Sequence, residues 1–93
     1  MIIRIVRMSF RNENVDEFLS IFKMINEKIR AFEGCTYLSL HQDHEQKNVY
    51  FTVSHWKSKD DLEAYRQSLL FKETWSEVKL LFDEQPKAFT LKG

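Results

Sequence analysis

Three histidines are the side chains of this sequence best suited to proton transfer or metal binding, because imidazole titrates close to neutral pH. They are His41, His44 and His55. No two of them have the i, i+4 spacing of a helical metal site, and none lies beside the cysteine in a ligand pattern. We therefore expect no metal site. His44 falls in a polar turn, whereas His41 and His55 lie on two strands that could make them cross-strand neighbours, where either is a candidate base.

The single cysteine and two early arginines are the other polar candidates. Cys35 follows Gly34 at the start of a predicted strand, where a buried thiol is more often inert than nucleophilic. Arg4 and Arg7 interrupt an apolar strand, and a charge on a strand covered on both faces needs a partner. A salt bridge across a dimer and the binding of an acidic or phenolate ligand are the alternatives. Arg7 is therefore a candidate polar site residue.

Large aromatic side chains form the third group of candidates. Aromatic residues make up 14% of the chain and include eight phenylalanines, so the rings need a place to pack. Trp56 stands at a predicted junction between strand and helix, and Tyr65, Phe71 and Trp75 lie on helical apolar stripes. Core packing is the usual role of such rings. Lining a ligand pocket is the alternative.

Charge and length limit the partners and the domain count. Fourteen basic residues balance fourteen acidic ones without segregation, so neither a nucleic acid nor an anionic membrane is an expected partner. The beginning of the chain, MIIRIVRMSF, is too short and too charged for a signal peptide or membrane span. We expect a cytoplasmic protein. With no Pro-, Gly- or Ser-rich division, residues 1–93 are expected to form one domain.

Hydrophobic periodicity predicts four strands and two helices. The strands are expected at 2–10, 35–43, 49–56 and 88–91, with the second and third forming a hairpin around a polar turn. The first helix is predicted to begin at Asn14, through a variant capping box with Glu17, and to end at Gly34. Ser58 and Asp61 predict the start of the second helix, with a break near Ser68 and an end before Pro86.

The resulting order, β-α-β-β-α-β, predicts an α+β, ferredoxin-like fold. This fold has a four-stranded antiparallel sheet with both helices on one face. The third strand carries Val49, Phe51, Val53 and His55 on one side and Tyr50, Thr52, Ser54 and Trp56 on the other. Neither side has the charged character of a water-facing strand, and monomers rarely tolerate a large apolar patch. We therefore predict a homodimer that covers the helix-free face of the sheet.

With these elements in order, the sequence resembles the antibiotic biosynthesis monooxygenase family of dimeric α/β-barrel proteins over nearly its whole length. Three groups of residues carry the resemblance. They are Phe32-Glu33-Gly34-Cys35 with Leu38 and Leu40; Phe51-Thr52-Val53-Ser54-His55-Trp56; and Leu62, Tyr65-Arg66, Ser68, Phe71-Lys72, Trp75, Phe82 and Pro86-Lys87-Ala88.

The resemblance implies a dimeric α/β barrel in which each protomer keeps a pocket between sheet and helices. Some members that resemble this chain oxidise aromatic compounds with O₂ and no metal or flavin, which requires a substrate that forms a stabilised carbanion or phenolate. It thus implies a cofactor-independent monooxygenase acting on a small quinol- or anthrone-like compound. The implied pocket residues are Thr52, Trp56, Tyr65, Phe71 and Trp75.

Residues at individual positions distinguish an oxygenase from a haem-degrading protein, a non-catalytic binding protein and an isomerase. Trp56 matches the tryptophan of the family at the end of the third strand, whereas Thr52 stands where some oxygenases carry asparagine. Trp75 stands where haem-degrading members place the histidine that ligates iron, and tryptophan cannot replace it. The Thr52 difference favours a non-catalytic small-molecule-binding or stress-related dimer of the same fold. An isomerase would need an acid/base pair that the sequence does not supply.

Overall fold

Four strands and three α-helices make up the computed structural model, which covers residues 1–93. The strands are β1 (Ile2–Ser9), β2 (Cys35–Gln42), β3 (Val49–Trp56) and β4 (Lys87–Lys92). The helices are α1 (Val15–Arg30), α2 (Lys59–Arg66) and α3 (Leu69–Val78), with 3-10 turns at Asn12–Asn14 and Lys79–Leu81. None of the helices has both the length and the apolar composition that a membrane crossing requires.

The sheet confirms the predicted α+β, ferredoxin-like fold. Its strand order is β2-β3-β1-β4, and every neighbouring pair is antiparallel. The two central strands, β1 and β3, pair with each other although α1 and β2 separate them in the sequence. The last residue of the first predicted strand, Phe10, lies beyond β1 and instead makes an isolated bridge with Phe82.

Cross-strand pairing assigns each strand residue to one of two faces, because directly opposed residues point the same way. Arg4 is opposite Ser54 and Thr90, and Val6 is opposite Thr52 and Ala88. These rows point toward the helices and include the buried Val6. Three alternate rows form the helix-free face: Tyr37-His55-Ile3-Leu91, Ser39-Val53-Ile5-Phe89 and His41-Phe51-Arg7-Lys87.

Of the two predicted helix caps, Ser58 is confirmed and Asn14 is not, and Ser68, predicted only as a break, also caps a helix. Ser58 accepts a hydrogen bond from the backbone N–H of Asp61 at 3.1 Å, and Ser68 accepts one from Phe71 at 3.1 Å. The predicted break near Ser68 is thus a real helix start. Asn14 makes no side-chain cap, contrary to prediction. It already has helical backbone angles, because it is the last residue of the Asn12–Asn14 turn, and it lacks the extended geometry of a capping residue.

Gly34 joins α1 to β2 in a conformation that suits only glycine. Its φ is +88°, and a Cβ at this position would collide with the Asp61 side chain. Its carbonyl accepts a hydrogen bond of 2.8 Å from the backbone N–H of Lys57. The close approach therefore brings the end of α1 against the start of α2 and fixes where β2 begins.

An aromatic cluster fills the space between β1 and α1. Phe10 is fully buried and stacks on Phe18 with ring centroids 4.2 Å apart. Phe82 and Tyr50 lie against Phe10 at 5.3 and 6.3 Å. This cluster holds the 3-10 turn after α3 against β1, and it forms the floor of the space between the helices and the sheet.

Candidate functional site

A cavity of about 80 Å³ lies between the helix-facing side of the sheet and the three helices. Most of its walls are apolar. Helix α1 contributes Phe18, Phe22, Ile25 and Ile29, and the sheet contributes Val6, Met8 and Leu38. The polar groups that reach it come from two arginines, a tyrosine, a serine and two threonines. An enclosed apolar space with few polar groups is the usual form of a small-molecule site.

All five residues predicted to line a pocket lie around this cavity. Thr52 and Trp56 come from β3, Tyr65 from the last turn of α2, and Phe71 and Trp75 from α3. Their rings form a continuous wall, since Trp56 contacts Tyr65, Tyr65 contacts Phe71, and Phe71 contacts Trp75. That any of them binds a ligand stays a prediction.

Trp56 belongs to both the core and the cavity wall. Its side chain is fully buried, its indole N–H donates a hydrogen bond of 3.0 Å to Ser54, and its ring stacks on Tyr65 at 4.9 Å. Because the indole N–H is already satisfied by Ser54, it is not free to bind a ligand in this arrangement. The indole face is the part of Trp56 that the cavity presents.

Tyr65 brings a neutral hydroxyl into an aromatic surrounding. Its ring meets Phe71 and Phe32 nearly edge to face, at 5.2 and 5.4 Å. Burial, with a smaller effect from Cys35, raises the pKa of Tyr65, and Arg4 offsets only part of that rise. The phenol is therefore protonated at neutral pH and can donate a hydrogen bond, but it cannot act as a base.

Two arginines bring positive charge to the cavity. Arg4 points from β1 toward the helices, and its guanidinium donates a hydrogen bond of 2.9 Å to the Thr90 hydroxyl. Arg66, at the end of α2, donates one of 2.9 Å to Glu63. Burial, with a smaller effect from the charge of Arg66, lowers the pKa of Arg4, and both arginines line the same cavity. The cavity lining contains no Asp, Glu, His or Cys.

Arg7, His41 and His55 do not line this cavity, and a polar or basic role for any of them stays a prediction. All three lie on the helix-free face, to which the odd-numbered side chains of β1 and β3 and of β2 from Tyr37 onward point. Arg7 pairs with Glu84 of its own chain at 2.7 Å. The histidines are not cross-strand neighbours, since His41 is opposite Phe51 and His55 is opposite Tyr37.

Of the two arginines that reach the cavity, sequence reasoning considered Arg4, as an equal alternative to Arg7 for binding an anionic ligand, and missed Arg66. Arg4 shares its parity on β1 with Val6, Met8 and Phe10, and that alternation was the available signal. It was obscured because the opposite face of β1 is also apolar. Arg66 also had a signal, because it follows the buried Leu62 by four residues and therefore lies on the same face of α2.

A more open cleft of about 330 Å³ adjoins the cavity beside β4. Cavity and cleft share Arg4, Val6, Phe71 and Trp75, while Pro86 and Ala88 border the cleft alone. Phe71 and Trp75 therefore stand between the enclosed space and the surface. The cavity thus adjoins the more open cleft at the edge between α3 and β4.

Comparisons with known proteins show which family and which solved structures the chain resembles. The family model described as antibiotic biosynthesis monooxygenase matches residues 1–76. No curated protein matches the chain. A conserved protein from Methanosarcina mazei Go1 is 24% identical, with 99% of this chain and 92% of that chain covered and a TM-score of 0.92.

Two further solved structures share the same architecture at lower identity. One, an antibiotic biosynthesis monooxygenase, is 15% identical, covers 100% of this chain and 98% of that chain, and has a TM-score of 0.93. The other, Rv0793 from Mycobacterium tuberculosis, is 16% identical, covers 99% and 93%, and has a TM-score of 0.91. At these identities the likeness concerns the fold alone, whereas the family model matches most of the sequence. The chain therefore belongs to the antibiotic biosynthesis monooxygenase family.

Proposed function

We propose that this protein is a cofactor-independent monooxygenase that oxidises a small aromatic phenol or quinol. The observation that carries the proposal is the partly enclosed cavity, in which aromatic walls from β3, α2 and α3 surround a few hydrogen-bond donors. Such a space holds a ring by its faces and keeps water away from a reactive anion. Membership of the family supports the reaction type.

The reaction needs no external reductant, because the substrate supplies the electrons. A quinol with one ring C–H takes up O₂; one oxygen atom forms a bond to that ring carbon, and the other leaves as water. The two hydrogens of the water come from the substrate, and the product is a hydroxylated quinone. The substrate must first lose a phenolic proton, since the anion is what donates electrons to O₂.

The size of the cavity favours a single-ring substrate over an anthrone-like one. An apolar cavity of roughly 150 Å³ is enough for benzene, and sites for drug-sized ligands measure roughly 300–1,000 Å³. At about 80 Å³ the cavity is below both, so even one ring requires a small outward movement of side chains. A three-ring anthrone would require the cavity and the adjoining cleft to merge.

Oxygen consumption with single-ring hydroquinones in metal-free buffer tests the reaction. We expect uptake in proportion to protein concentration, and with ¹⁸O₂ one labelled atom in the quinone product. Simple autoxidation incorporates no label, so the label separates the two. Tyr65→Phe should slow the protein-dependent rate about tenfold by removing a donor, while the matched Tyr37→Phe on the helix-free face should not. Unlabelled quinone with every substrate would contradict the proposal.

A non-catalytic small-molecule-binding protein is the second candidate, and one observation favours it. No side chain in the cavity lining can accept a proton from a substrate near neutral pH, because the only acid-base group there besides arginine is the protonated Tyr65. The same absence counts against an isomerase that uses an acid/base pair. Ring compounds that bind without any oxygen uptake would favour this candidate.

We also propose that two copies pair through the helix-free face. Its central row carries Val53, Ile5 and Phe89, and the next carries Ile3 and Leu91. Phe89 and Leu91 remain about half exposed in the single chain, at 49% and 48%. A sheet face of this composition is typical of an interface rather than of a water-exposed surface. The pairing would leave each cavity within its own protomer.

Trp75 is expected to limit the size of the ligand. Trp75→Ala removes a ring that stands between cavity and cleft, and with it the steric overlap between this ring and a two-ring ligand. A naphthalenediol should therefore bind about tenfold more tightly to the variant, which corresponds to roughly 1.4 kcal/mol of binding free energy. Calorimetric titration measures this. Phe22→Ala, on the α1 wall away from the cleft, is the matched control and should not produce the same gain. Equal affinities in wild type and Trp75→Ala would contradict the assignment of Trp75 as the divider.

A further inference from the structure

The cavity combines two arginines with walls that hold no acidic side chain. Arg4 reaches it from β1 and Arg66 from α2. The remaining lining residues are apolar side chains, Tyr65, and uncharged hydroxyl groups. Positive charge beside a mostly apolar space is costly unless an anion accompanies it. Arg66 keeps 40% of its side chain exposed to solvent and pairs with Glu63, whereas the half-buried Arg4 has no anionic partner, so the part of the pair that faces the cavity can accept an anion.

The hydrogen-bond donors of these arginines are only partly used. The Nε of Arg66 is buried and has no acceptor within the protein, although its Nη1 pairs with Glu63 at 2.9 Å. Arg4 has only the neutral Thr90 hydroxyl as a side-chain partner. Buried donors are normally satisfied, so an unused one in a cavity indicates a missing acceptor. Two guanidinium groups can together bind one anionic oxygen.

The charged neighbours of this pair leave a net positive charge. Glu63 offsets part of the charge of Arg66, and Tyr65 stays neutral. Cys35, on β2, affects Tyr65 rather than the arginines. From α1 and α3 only uncharged side chains line the cavity, and from β4 the nearest group is Thr90. No acidic group other than Glu63 therefore competes with a ligand for the arginines.

We propose that Arg4 and Arg66 bind the phenolate oxygen of the substrate, so that the substrate is deprotonated without a protein base. This inference rests on the proposed oxygenase function and supplies the step that the function lacks. The phenolic O–H bond breaks, the electron pair stays on the oxygen between the two guanidinium groups, and the proton passes to water. The arginines act by lowering the pKa of the bound phenol, and they remain protonated throughout.

The positive charges of Arg4 and Arg66 determine the direction in which the pKa of the bound phenol changes. Cations beside the oxygen favour its anionic form, so the bound phenol must have a lower pKa than the free one. An opposite charge within about 4–6 Å typically lowers a pKa by about 1–3 units. By linkage, the phenolate then binds about 10- to 1,000-fold more tightly than the neutral phenol.

The probe for this inference is 4-nitrophenol, a single-ring phenol whose ionisation is visible as a yellow colour. Its pKa is measured free and in the presence of saturating protein, in buffer without O₂, so the result does not depend on oxygenation. We expect a pKa about 1–3 units lower in the complex. Arg4→Gln and Arg66→Gln should each remove most of the shift, Arg4→Lys should retain part of it, and the exposed Arg30→Gln should leave it unchanged. The methyl ether 4-nitroanisole, which cannot ionise, reports whether each variant still binds a ring.

Three results would overturn the inference. They are a bound pKa equal to or above the free value, a shift that survives in both glutamine variants, and a failure of 4-nitrophenol to bind at all. A lowered pKa without any oxygen uptake from quinols would support the anion site while contradicting the oxygenase. Oxygen uptake with an unshifted pKa would do the reverse, so the two proposals fail separately.

Discussion

Replacement of Trp56 by alanine is expected to lower the free energy of unfolding by about 3–5 kcal/mol, the usual cost of removing a buried large aromatic side chain. Trp56 is fully buried, stacks on Tyr65, and donates the hydrogen bond that satisfies the buried Ser54 hydroxyl. Its loss would leave both a void beside the cavity and an unsatisfied polar group. Urea denaturation followed by circular dichroism measures the change.

Trp56→Phe separates the two parts of this effect. Phenylalanine keeps a ring against Tyr65 but cannot donate to Ser54, so we expect a smaller loss of about 1–3 kcal/mol, dominated by the unpaired hydroxyl. Trp75→Ala provides the comparison at a side chain that is only partly buried. If Trp56→Ala were no more destabilising than Trp75→Ala, Trp56 would not be the central support of the cavity.

The fold of this protein could be predicted from its sequence because the residues that begin or end the helices act locally. Ser58 caps α2, Ser68 caps α3 and Gly34 ends the connection from α1, and each acts through contacts within a few residues or through its own backbone angles. Asn14 does not cap α1 for an equally local reason, because it is the last residue of the 3-10 turn. Strand order then followed from the fold type, which few alternatives share.

The polar residues of the cavity are harder to predict than the fold, because they depend on which side of β1 faces the helices. An amphipathic strand reveals its buried side through alternation, but β1 is apolar on both faces, with Ile3 and Ile5 on one and Val6 and Met8 on the other. Arg4 and Arg7 are therefore equivalent in the sequence pattern, and only the strand pairing shows that Arg4, and not Arg7, faces the cavity. The aromatic residues Trp56, Tyr65, Phe71 and Trp75 were easier to place, since a large ring at a buried junction has few other positions.

Arg66 was harder to predict than the aromatic residues although its helix supplied a local signal. It follows the buried Leu62 by four residues, so the two share one face of α2, and that face lines the cavity. Charged side chains near a helix end are usually exposed, so the pattern of apolar residues alone did not identify it.

Phe89→Asp is expected to convert the proposed dimer to monomer, raising its dissociation constant at least about a hundredfold, because a charge replaces an apolar ring on the face proposed to pair. A twofold interface would contain the substitution twice. Phe89 lies on the edge strand β4, opposite Ile5, and is already 49% exposed in the single chain. The variant should therefore fold normally, and any effect should appear in molecular mass rather than in thermal stability of the protomer.

Sedimentation velocity at micromolar concentration measures that mass, and Leu69→Asp supplies the matched control. Leu69 is 70% exposed at the start of α3, on the helix side of the molecule, so an aspartate there should leave the dimer intact. A wild-type protein that is monomeric at this concentration would leave the apolar rows of the helix-free face exposed to water and would contradict the pairing. Equal dissociation by both variants would instead mean that the interface involves the helices, and the cavity would then no longer be a property of one protomer.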